Sequence, residues 1–263
     1  MHIMSEELLG KKLYFVNAPA VFKEYIDELW NYEIEAYAVA EFSALMPILL
    51  ADNSALVFFN FEGDKQSLEK LKRNIEMLRS EDSCRHIEIG LFSVRDLRSQ
   101  FSEISQTLQI ECGYFIITDK QRVLQTILQI CAQKAVKGRR KYIRVKCPLN
   151  YASFNCECRG MQYRGHILDI SLAGMAVLFE GSNVLPLNVK VDDIQCNLHG
   201  IIVSVDGITF KTYQSEENTE QPITVILFDP KSLDKMKEAK VHVFIRQKLQ
   251  KDLETALFSY QNT

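Results

Sequence analysis

Two short groups of polar residues in the second half of the chain have the types and spacing to bind a ligand. The first is an RxxxR pattern formed by Arg140 and Arg144. The second is a DxSxxG pattern that begins at Asp169, 25 residues after Arg144, and includes Ser171 and Gly174. A guanidinium group is a planar fork that grips phosphate through two hydrogen bonds. An ionised carboxylate accepts hydrogen bonds only, so the two patterns offer complementary chemistry.

Arg140 and Arg144 belong to a longer basic stretch, residues 134–146, which we call the basic run. Its seven Lys and Arg residues have no Asp or Glu among them, and such a run attracts phosphate-bearing partners. Two alternatives stay open here. The run is a solvated linker, or it binds nucleic acid with an affinity that falls steeply with salt and needs neither Asp169 nor Ser171. The basic residues are Lys134, Lys137, Arg139, Arg140, Lys141, Arg144 and Lys146.

The first half of the chain alternates between two periodicities. Short apolar runs typical of buried strands alternate with helical stretches that carry apolar residues on one face. Five strand-then-helix units in residues 1–136 predict an α/β domain, a (βα)5 doubly wound parallel sheet with helices on both faces. The predicted strands are Leu13–Asn17, Ile34–Ala40, Ala55–Phe61, His86–Phe92 and Gly113–Thr118, and the predicted helices are Pro19–Tyr32, Phe42–Leu50, Asp64–Leu78, Asp96–Ile110 and Asp119–Val136.

Residues 137–263 have a different pattern. Short alternating segments separated by turn residues predict an antiparallel barrel or sandwich. We interpret Asp206-Gly207 as a turn between two strands and the polar stretch Ser215–Pro222 as an exposed loop. Helical spacing returns from Pro230 to about Ala256, and this helix is expected to close one end of a small barrel. The predicted strands are Tyr142–Cys147, Tyr151–Cys158, Tyr163–Asp169, Met175–Phe179, Val189–Leu198, Ile201–Val205, Ile208–Tyr213 and Thr224–Phe228.

The two motifs, their order and their β-rich setting resemble the PilZ family of cyclic di-GMP receptors. Members of that family have RxxxR before a six-stranded barrel and (D/N)xSxxG on the barrel. The resemblance covers about residues 137–258 and implies an antiparallel six-stranded PilZ-type barrel with a C-terminal helix and no enzymatic activity. It also implies that the ligand, cyclic di-GMP, contacts Arg140, Arg144, Asp169, Ser171 and Gly174. Arg139 is implied as a further ligand residue, which in some members favours a stacked ligand dimer.

The chemistry of cyclic di-GMP matches these implied contacts. Its two phosphates and the guanine O6 and N7 atoms suit arginine forks, whose faces also stack on bases. Asp169 suits the guanine N1–H and N2–H₂ donors, Ser171 can donate to a phosphate oxygen, and Gly174 lets the backbone approach the ligand or turn sharply. Because RxxxR directly follows the last predicted helix of the first half, ligand is expected to order this hinge and reorient the two domains.

The first half resembles a response-regulator receiver domain in architecture but lacks its chemistry. Asn60 stands where receivers have the phosphoacceptor Asp, and Val16-Asn17-Ala18 stands where they have two acidic residues. Ser93 takes the place of the hydroxyl residue after the fourth strand, and Lys120 lies near the lysine after the fifth. Without carboxylates nothing holds Mg²⁺ or accepts a phosphoryl group. This half is therefore expected to be an interaction module for an unidentified protein partner.

Three other interpretations of single features stay open. The DxSxxG segment is alternatively an Asx-type turn and nothing more. Cys156 and Cys158 alternate onto one face of a strand, and with His166 they are a metal-site alternative to buried thiols. A flavin- or nucleotide-binding enzyme on the first half needs a Gly-rich loop after the first strand, where residues 17–20 read Asn-Ala-Pro-Ala. We find no nucleophile elbow, P-loop, zinc-protease or cyclic-di-GMP synthesis or hydrolysis motif, and expect no cofactor and no metal.

Composition bounds the class of protein. The chain has 263 residues, 47% of them hydrophobic, and residues 1–136 carry 14 Lys and Arg against 20 Asp and Glu. This composition excludes disordered and fibrous proteins, and no apolar run reaches the roughly 20 residues that span a bilayer. Seven Cys at scattered spacings fit reduced thiols. Because the first residues show no signal-peptide pattern, we expect a cytoplasmic protein with no membrane insertion.

Overall fold

The structure is a computed structural model, and it describes residues 10–181, 184–215 and 218–261. The chain divides into two compact units. The first ends at Lys141, the second runs from Tyr142 to Asp252, and the residues from Leu253 onward are grouped with the first. The boundary predicted between residues 136 and 137 lies five residues before this division.

The first unit is built on a five-stranded parallel sheet with the order β2-β1-β3-β4-β5. The chain starts in the sheet interior and winds outward in both directions, which makes the fold doubly wound and confirms the prediction. The central strands are buried along almost their whole length, because helices cover both faces. The strands are β1 (Lys12–Val16), β2 (Ala36–Val39), β3 (Ala55–Asn60), β4 (Glu88–Ser93) and β5 (Tyr114–Ile116).

Five helices follow these strands. The carboxylate of Asp64 accepts a hydrogen bond from the Ser67 backbone N–H at 2.8 Å and caps one helix, and Asp119 caps another through Arg122 N–H at 3.0 Å. The first helix packs beside the fifth, and the second beside the third. The helices are α1 (Lys23–Asn31, after a 3₁₀ turn at Ala20–Phe22), α2 (Phe42–Ala51), α3 (Lys65–Ser80), α4 (Arg98–Leu108) and α5 (Lys120–Gln133).

The second unit is a closed six-stranded antiparallel barrel, as predicted. Its strands pair in the order β8-β7-β10-β11-β12-β9, and β9 returns to β8 to close the ring. A seventh, two-residue strand, β6, pairs with Asp169 and Ile170 of β8 on the edge opposite β9, beyond the stretch of β8 that pairs with β7. The strands are β6 (Val145–Lys146), β7 (Ala152–Cys158), β8 (Met161–Ser171), β9 (Gly174–Phe179), β10 (Lys190–Leu198), β11 (Ile201–Ser215) and β12 (Asn218–Phe228).

Two expectations about this half are wrong. Asp206-Gly207 is not a turn, because β11 runs without a break through it and Gly207 pairs with Val191 on one side and Phe228 on the other. Glycine is needed there for close packing: a Cβ on Gly207 would lie 2.7 Å from the carbonyl oxygen of Leu227. The prediction of an exposed loop at Ser215–Pro222 is also wrong, since β12 already begins at Asn218. The only residues of that stretch outside the described range are 216 and 217.

The chain ends in a long helix, α6 (Lys235–Gln261). Its buried Phe244 lies 6.1 Å, between ring centroids, from Tyr151, which itself stacks on His199 at 4.3 Å. Lys248 is 6% exposed, and its ammonium group donates to both carboxylate oxygens of Asp252, at 2.5 and 2.6 Å. The helix thus packs where β7 begins and β10 turns into β11. Among the described residues, no helix is long and apolar enough to cross a membrane.

Candidate functional site

Strand β6 positions Arg144 beside Asp169. In β6, Val145 pairs with Ile170 and Lys146 with Asp169, so one residue further back Arg144 comes level with Ser171. The guanidinium Nη1 of Arg144 lies 3.3 Å from Asp169 Oδ2, and the two side chains are 45% and 21% exposed. Val145 is buried and anchors β6. The last arginine of RxxxR and the first residue of DxSxxG therefore form one exposed ion pair.

Ser171 ends β8 and caps the two-residue turn into β9. Its hydroxyl accepts a hydrogen bond from the Ala173 backbone N–H at 3.2 Å and donates a long one, 3.5 Å, to the Gly174 carbonyl. Ser171 is 3% exposed. The turn is thus capped by serine rather than by an Asx side chain, which leaves the Asp169 carboxylate outside the turn. The weak donor contact is the one that a ligand acceptor could replace.

Gly174 is required by the barrel itself. It pairs with Leu227 in β12, and a Cβ there would lie 2.2 Å from the carbonyl oxygen of Ile226. No side chain fits in that space without moving β12. The sequence analysis assigned this glycine to backbone approach to a ligand or to a sharp turn, and the close packing of β9 against β12 is a further reason for glycine that it did not foresee.

Arg139 and Arg140 are exposed and belong to the first unit. They follow α5 in a segment of turns and irregular backbone. Their part in ligand binding stays a prediction.

The basic run is partly neutralised within each unit. Lys134 is ion-paired with Glu88, which also accepts from Lys11 Nζ at 2.9 Å. Burial opposes the charged form of Glu88, but the two lysines outweigh it and hold the pKa of Glu88 below its usual value. The hydrogen bond to Glu88 likewise raises the pKa of Lys134. With Arg144 on Asp169 and Lys134 on Glu88, the run is not a continuous free cationic stripe.

The outer wall of the barrel is arranged in rows across neighbouring strands. Met175 and Ile226 are almost fully buried and point inward. The residues that alternate with them, such as Ala176 and Val225, belong to the other face of the wall, although Ala176 is itself only 4% exposed. One outward row is set by the register and crosses β6, β8, β9, β12 and β11. We call it the Asp169 row. Its members are Lys146, Asp169, Ala176, Val225 and Lys211.

Sequence reasoning did not single out Lys146 or Lys211 as neighbours of Asp169 on this wall. Lys146 was visible as a member of the basic run, and Lys211 as an alternating position of a predicted strand. The sequence pattern does not show which strands pair or in what register, so it could not place these lysines in the same row as Asp169. With the register known, Lys146 lies directly beside Asp169, and Lys211 lies three strands away in the same row.

In the first unit, Ser93 and Lys120, which stand at or near positions of receiver chemistry, form contacts within the unit. The Ser93 hydroxyl is 1% exposed and shares a 2.5 Å hydrogen bond with the Tyr114 hydroxyl. Lys120 forms ion pairs with Glu24 and Glu28 of α1, at 3.3 and 3.7 Å. Neither side chain is therefore poised to assist phosphoryl transfer.

A cavity of about 280 Å³ lies at the carboxyl ends of β1 and β3, bounded by the start of α3. Asn17 and Asn60 line it, together with the acidic Glu62 and Asp64. The Asn60 Oδ1 atom is buried and has no hydrogen-bond partner. The lining thus carries two carboxylates and one lysine, Lys70, and the flavin or nucleotide alternative has no Gly-rich loop after β1 to support it.

The cysteine and histidine alternative for a metal site fails on geometry. Cys156 and Cys158 are buried on the inner face of β7, whereas His166 pairs with Ser153 on the outer face. Burial raises the pKa of the Cys156 thiol to about 11 and that of Cys196 to about 12. Within the described residues, no three His, Cys, Asp or Glu side chains come together as a metal site.

Comparisons with known proteins find likeness in structure only. No protein-family profile and no curated protein matches the sequence. The chain is similar to the PilZ domain of YcgR from Escherichia coli (20% identity, 45% of this chain, 97% of that one, TM-score 0.38). It is also similar to YcgR of that organism in complex with c-di-GMP (19% identity, 46% of this chain, TM-score 0.39), of which it spans 50%. A third likeness is to the chemotaxis response regulator CheY4 of Vibrio cholerae (10% identity, 46% and 98% coverage, TM-score 0.37). We therefore build the proposal on this chain's own residues.

Proposed function

We propose that this protein is a non-enzymatic receptor for cyclic di-GMP, and that the second unit carries the site. The observation that carries the proposal is the Arg144–Asp169 ion pair, 3.3 Å apart on the exposed outer wall of the barrel. It joins the two sequence motifs in space, next to Ser171 and Gly174. A guanidinium fork and a carboxylate side by side offer donors to a phosphate or to guanine O6 and N7, and an acceptor for guanine N1–H and N2–H₂.

Ligand binding exchanges internal contacts for ligand contacts. Asp169 leaves Arg144 and accepts from the guanine edge, while Arg144 turns to a phosphate. Arg144 exchanges one anionic partner for another, and Asp169 accepts hydrogen bonds from guanine in place of the one from Arg144. The Ser171 hydroxyl replaces its long bond to the Gly174 carbonyl with one to a phosphate oxygen, and keeps its cap on the Ala173 N–H.

The signalling step follows from the position of the other arginines in the chain. Arg139 and Arg140 lie five and four residues before Arg144, on the other side of the division between the units in the chain. If they bind the same ligand as Arg144, the intervening backbone becomes ordered, and the ligand selects one arrangement of the two units by its differential affinity. We propose that a protein partner in the cytoplasm recognises that arrangement through the first unit.

Calorimetric titration of the full chain with cyclic di-GMP tests the site. We expect micromolar or tighter binding by the wild type and a loss on the order of 100-fold for Arg144→Ala, because a charge-assisted bidentate contact is removed. Arg164→Ala is the matched control: Arg164 is an exposed arginine on β8, ion-paired with Glu180 at 2.7 Å, and its loss should leave the affinity unchanged. Equal binding by wild type and Arg144→Ala would refute the site.

The nucleic-acid alternative is separated by a second titration. A protein that used the basic run alone would bind a labelled DNA duplex with an affinity that falls steeply with salt and is unaffected by Asp169→Ala. Lys134 and Arg144 are already paired with carboxylates, which reduces the charge available to such a partner. We therefore expect duplex binding to be weak and not to depend on Asp169, in contrast to cyclic di-GMP binding.

A further inference from the structure

An exposed aromatic side chain and a lysine stand together on the outer wall of the barrel, three strands from Asp169. Tyr213 is 41% exposed, and the Lys211 ammonium lies 5.1 Å from its ring centroid. The register pairs Lys211 with Val225 and Tyr213 with Ile223. Thr224 and Ile226 are fully buried, so by alternation Ile223 and Val225 belong to the other face of β12, where Ile223 is itself only 8% exposed. Their partners Lys211 and Tyr213 lie on that same face and are exposed. We call this pair the aromatic ledge.

The ledge is continuous with the proposed site. The Asp169 row leads from Asp169 through Ala176 and Val225 to Lys211. Three strand spacings separate its ends, about 14 Å along the wall. Between them lie Ala176, which is only 4% exposed, and the half-buried Val225, both uncharged. The wall therefore presents a cation and a carboxylate at one end and an aromatic ring with a cation at the other.

An extended, flat ligand fits this pattern better than a compact one. Aromatic side chains stack on nucleobases of any sequence, and lysines beside them contact phosphate. A dinucleotide whose first guanine is held by Asp169 has a second base and a second phosphate still to place. The Tyr213 ring can stack on the second base, and the Lys211 ammonium group can contact the second phosphate.

Resting on the proposed function, we propose that the aromatic ledge is a second contact region for cyclic di-GMP. The Tyr213 ring stacks on the base that Asp169 does not hold, and Lys211 contacts the second phosphate. The ledge then selects for dinucleotides over mononucleotides, because only a ligand with two bases reaches both ends of the row.

Titrations with cyclic di-GMP and with GMP test this inference. We expect Tyr213→Ala to weaken cyclic di-GMP binding about tenfold, as for the loss of one base stack, and Tyr213→Phe, which keeps the ring, to restore it. The affinity for GMP should be the same in all three proteins. Lys190→Ala, an exposed lysine of β10 paired with Asp192, is the control for Lys211→Ala, which should weaken binding of the dinucleotide only.

The outcomes separate the two proposals. If wild type binds cyclic di-GMP, Arg144→Ala does not, and Tyr213→Ala binds like wild type, the ledge is refuted while the receptor stands. A loss in Tyr213→Ala that Tyr213→Phe does not restore, in a protein with an unchanged melting temperature, also overturns stacking. If wild type binds no cyclic di-GMP, the receptor fails and the ledge fails with it.

Discussion

Two ion pairs, one in each unit, show how similar chemistry can serve different ends. Lys134 and Glu88 are 25% and 20% exposed, and Lys11 joins them. Arg144 and Asp169 are 45% and 21% exposed and meet through one contact at 3.3 Å. The first pair is shielded, multiply bonded and accompanied by shifted pKa values on both partners. It holds the end of α5 to the sheet, whereas the second is open to exchange with a ligand.

The same contrast extends to the hydroxyl groups of the two units. Ser93 is locked to Tyr114 by a short hydrogen bond inside the first unit. Ser171 has one firm contact, as an acceptor, and one long contact, as a donor. Polar residues at strand ends are therefore a weak guide to a binding site. What distinguishes the two units is whether the polar groups keep contacts that a ligand can replace.

The largest expected effect is on stability, from a substitution that disrupts the packing of β9 against β12 near the Arg144–Asp169 pair. Gly174→Val places a side chain where even a Cβ would lie 2.2 Å from the Ile226 carbonyl oxygen, and we expect a loss of about 3 kcal/mol in the free energy of unfolding. Chemical denaturation measures it. Ala173→Ser, one residue away at an exposed position, is the control, and equal stability of the two variants would show that β12 does not constrain this glycine.

The next effect isolates the exposed pair. Asp169→Ala removes the acceptor for the guanine edge, and we expect cyclic di-GMP affinity to fall on the order of 100-fold. Its melting temperature should stay close to that of the wild type, because exposed ion pairs contribute little to stability. Asp192→Ala, which breaks another exposed ion pair, should change neither quantity. A large drop in melting temperature for Asp169→Ala would instead make the pair structural.

The smallest effect belongs to the shielded pair. Glu88 has a folded-state pKa below its ordinary value of 4.5, so its ion pairs stabilise the fold above about pH 4.5 and this contribution is lost as pH falls through the lower, folded-state pKa. Glu88→Gln should cost about 1 kcal/mol at neutral pH and flatten the pH dependence of denaturation below about pH 4.5. Cyclic di-GMP affinity should not change, and a change would show that the two pairs are coupled.

Much of the fold was predictable because its signals are local. Five alternating strand and helix patterns give the first sheet, and the RxxxR and DxSxxG motifs name the residues that the structure brings together at Arg144 and Asp169. The break placed at Gly207 was wrong because glycine marks close packing as well as turns. Only the neighbouring strand β12 decides between them.

The remainder of the candidate site depends on pairing between strands distant in sequence. The Asp169 row joins residues from five strands between Lys146 and Val225, and a shift of one residue in any pairing would exchange inner for outer side chains. No sequence pattern sets that register by itself. The position of Lys211 and Tyr213 on the same wall as Asp169 is therefore known only from the strand pairing in the structure.

Parallel calorimetric titrations of the wild-type chain with cyclic di-GMP and cyclic di-AMP test the receptor proposal most directly. The two ligands share the phosphate ring and differ in the bases, and adenine lacks the N1–H and N2–H₂ donors that Asp169 is proposed to accept. The account predicts micromolar or tighter binding of cyclic di-GMP and no measurable heat from cyclic di-AMP. No measurable heat with either ligand, or equal affinity for both, would contradict this account.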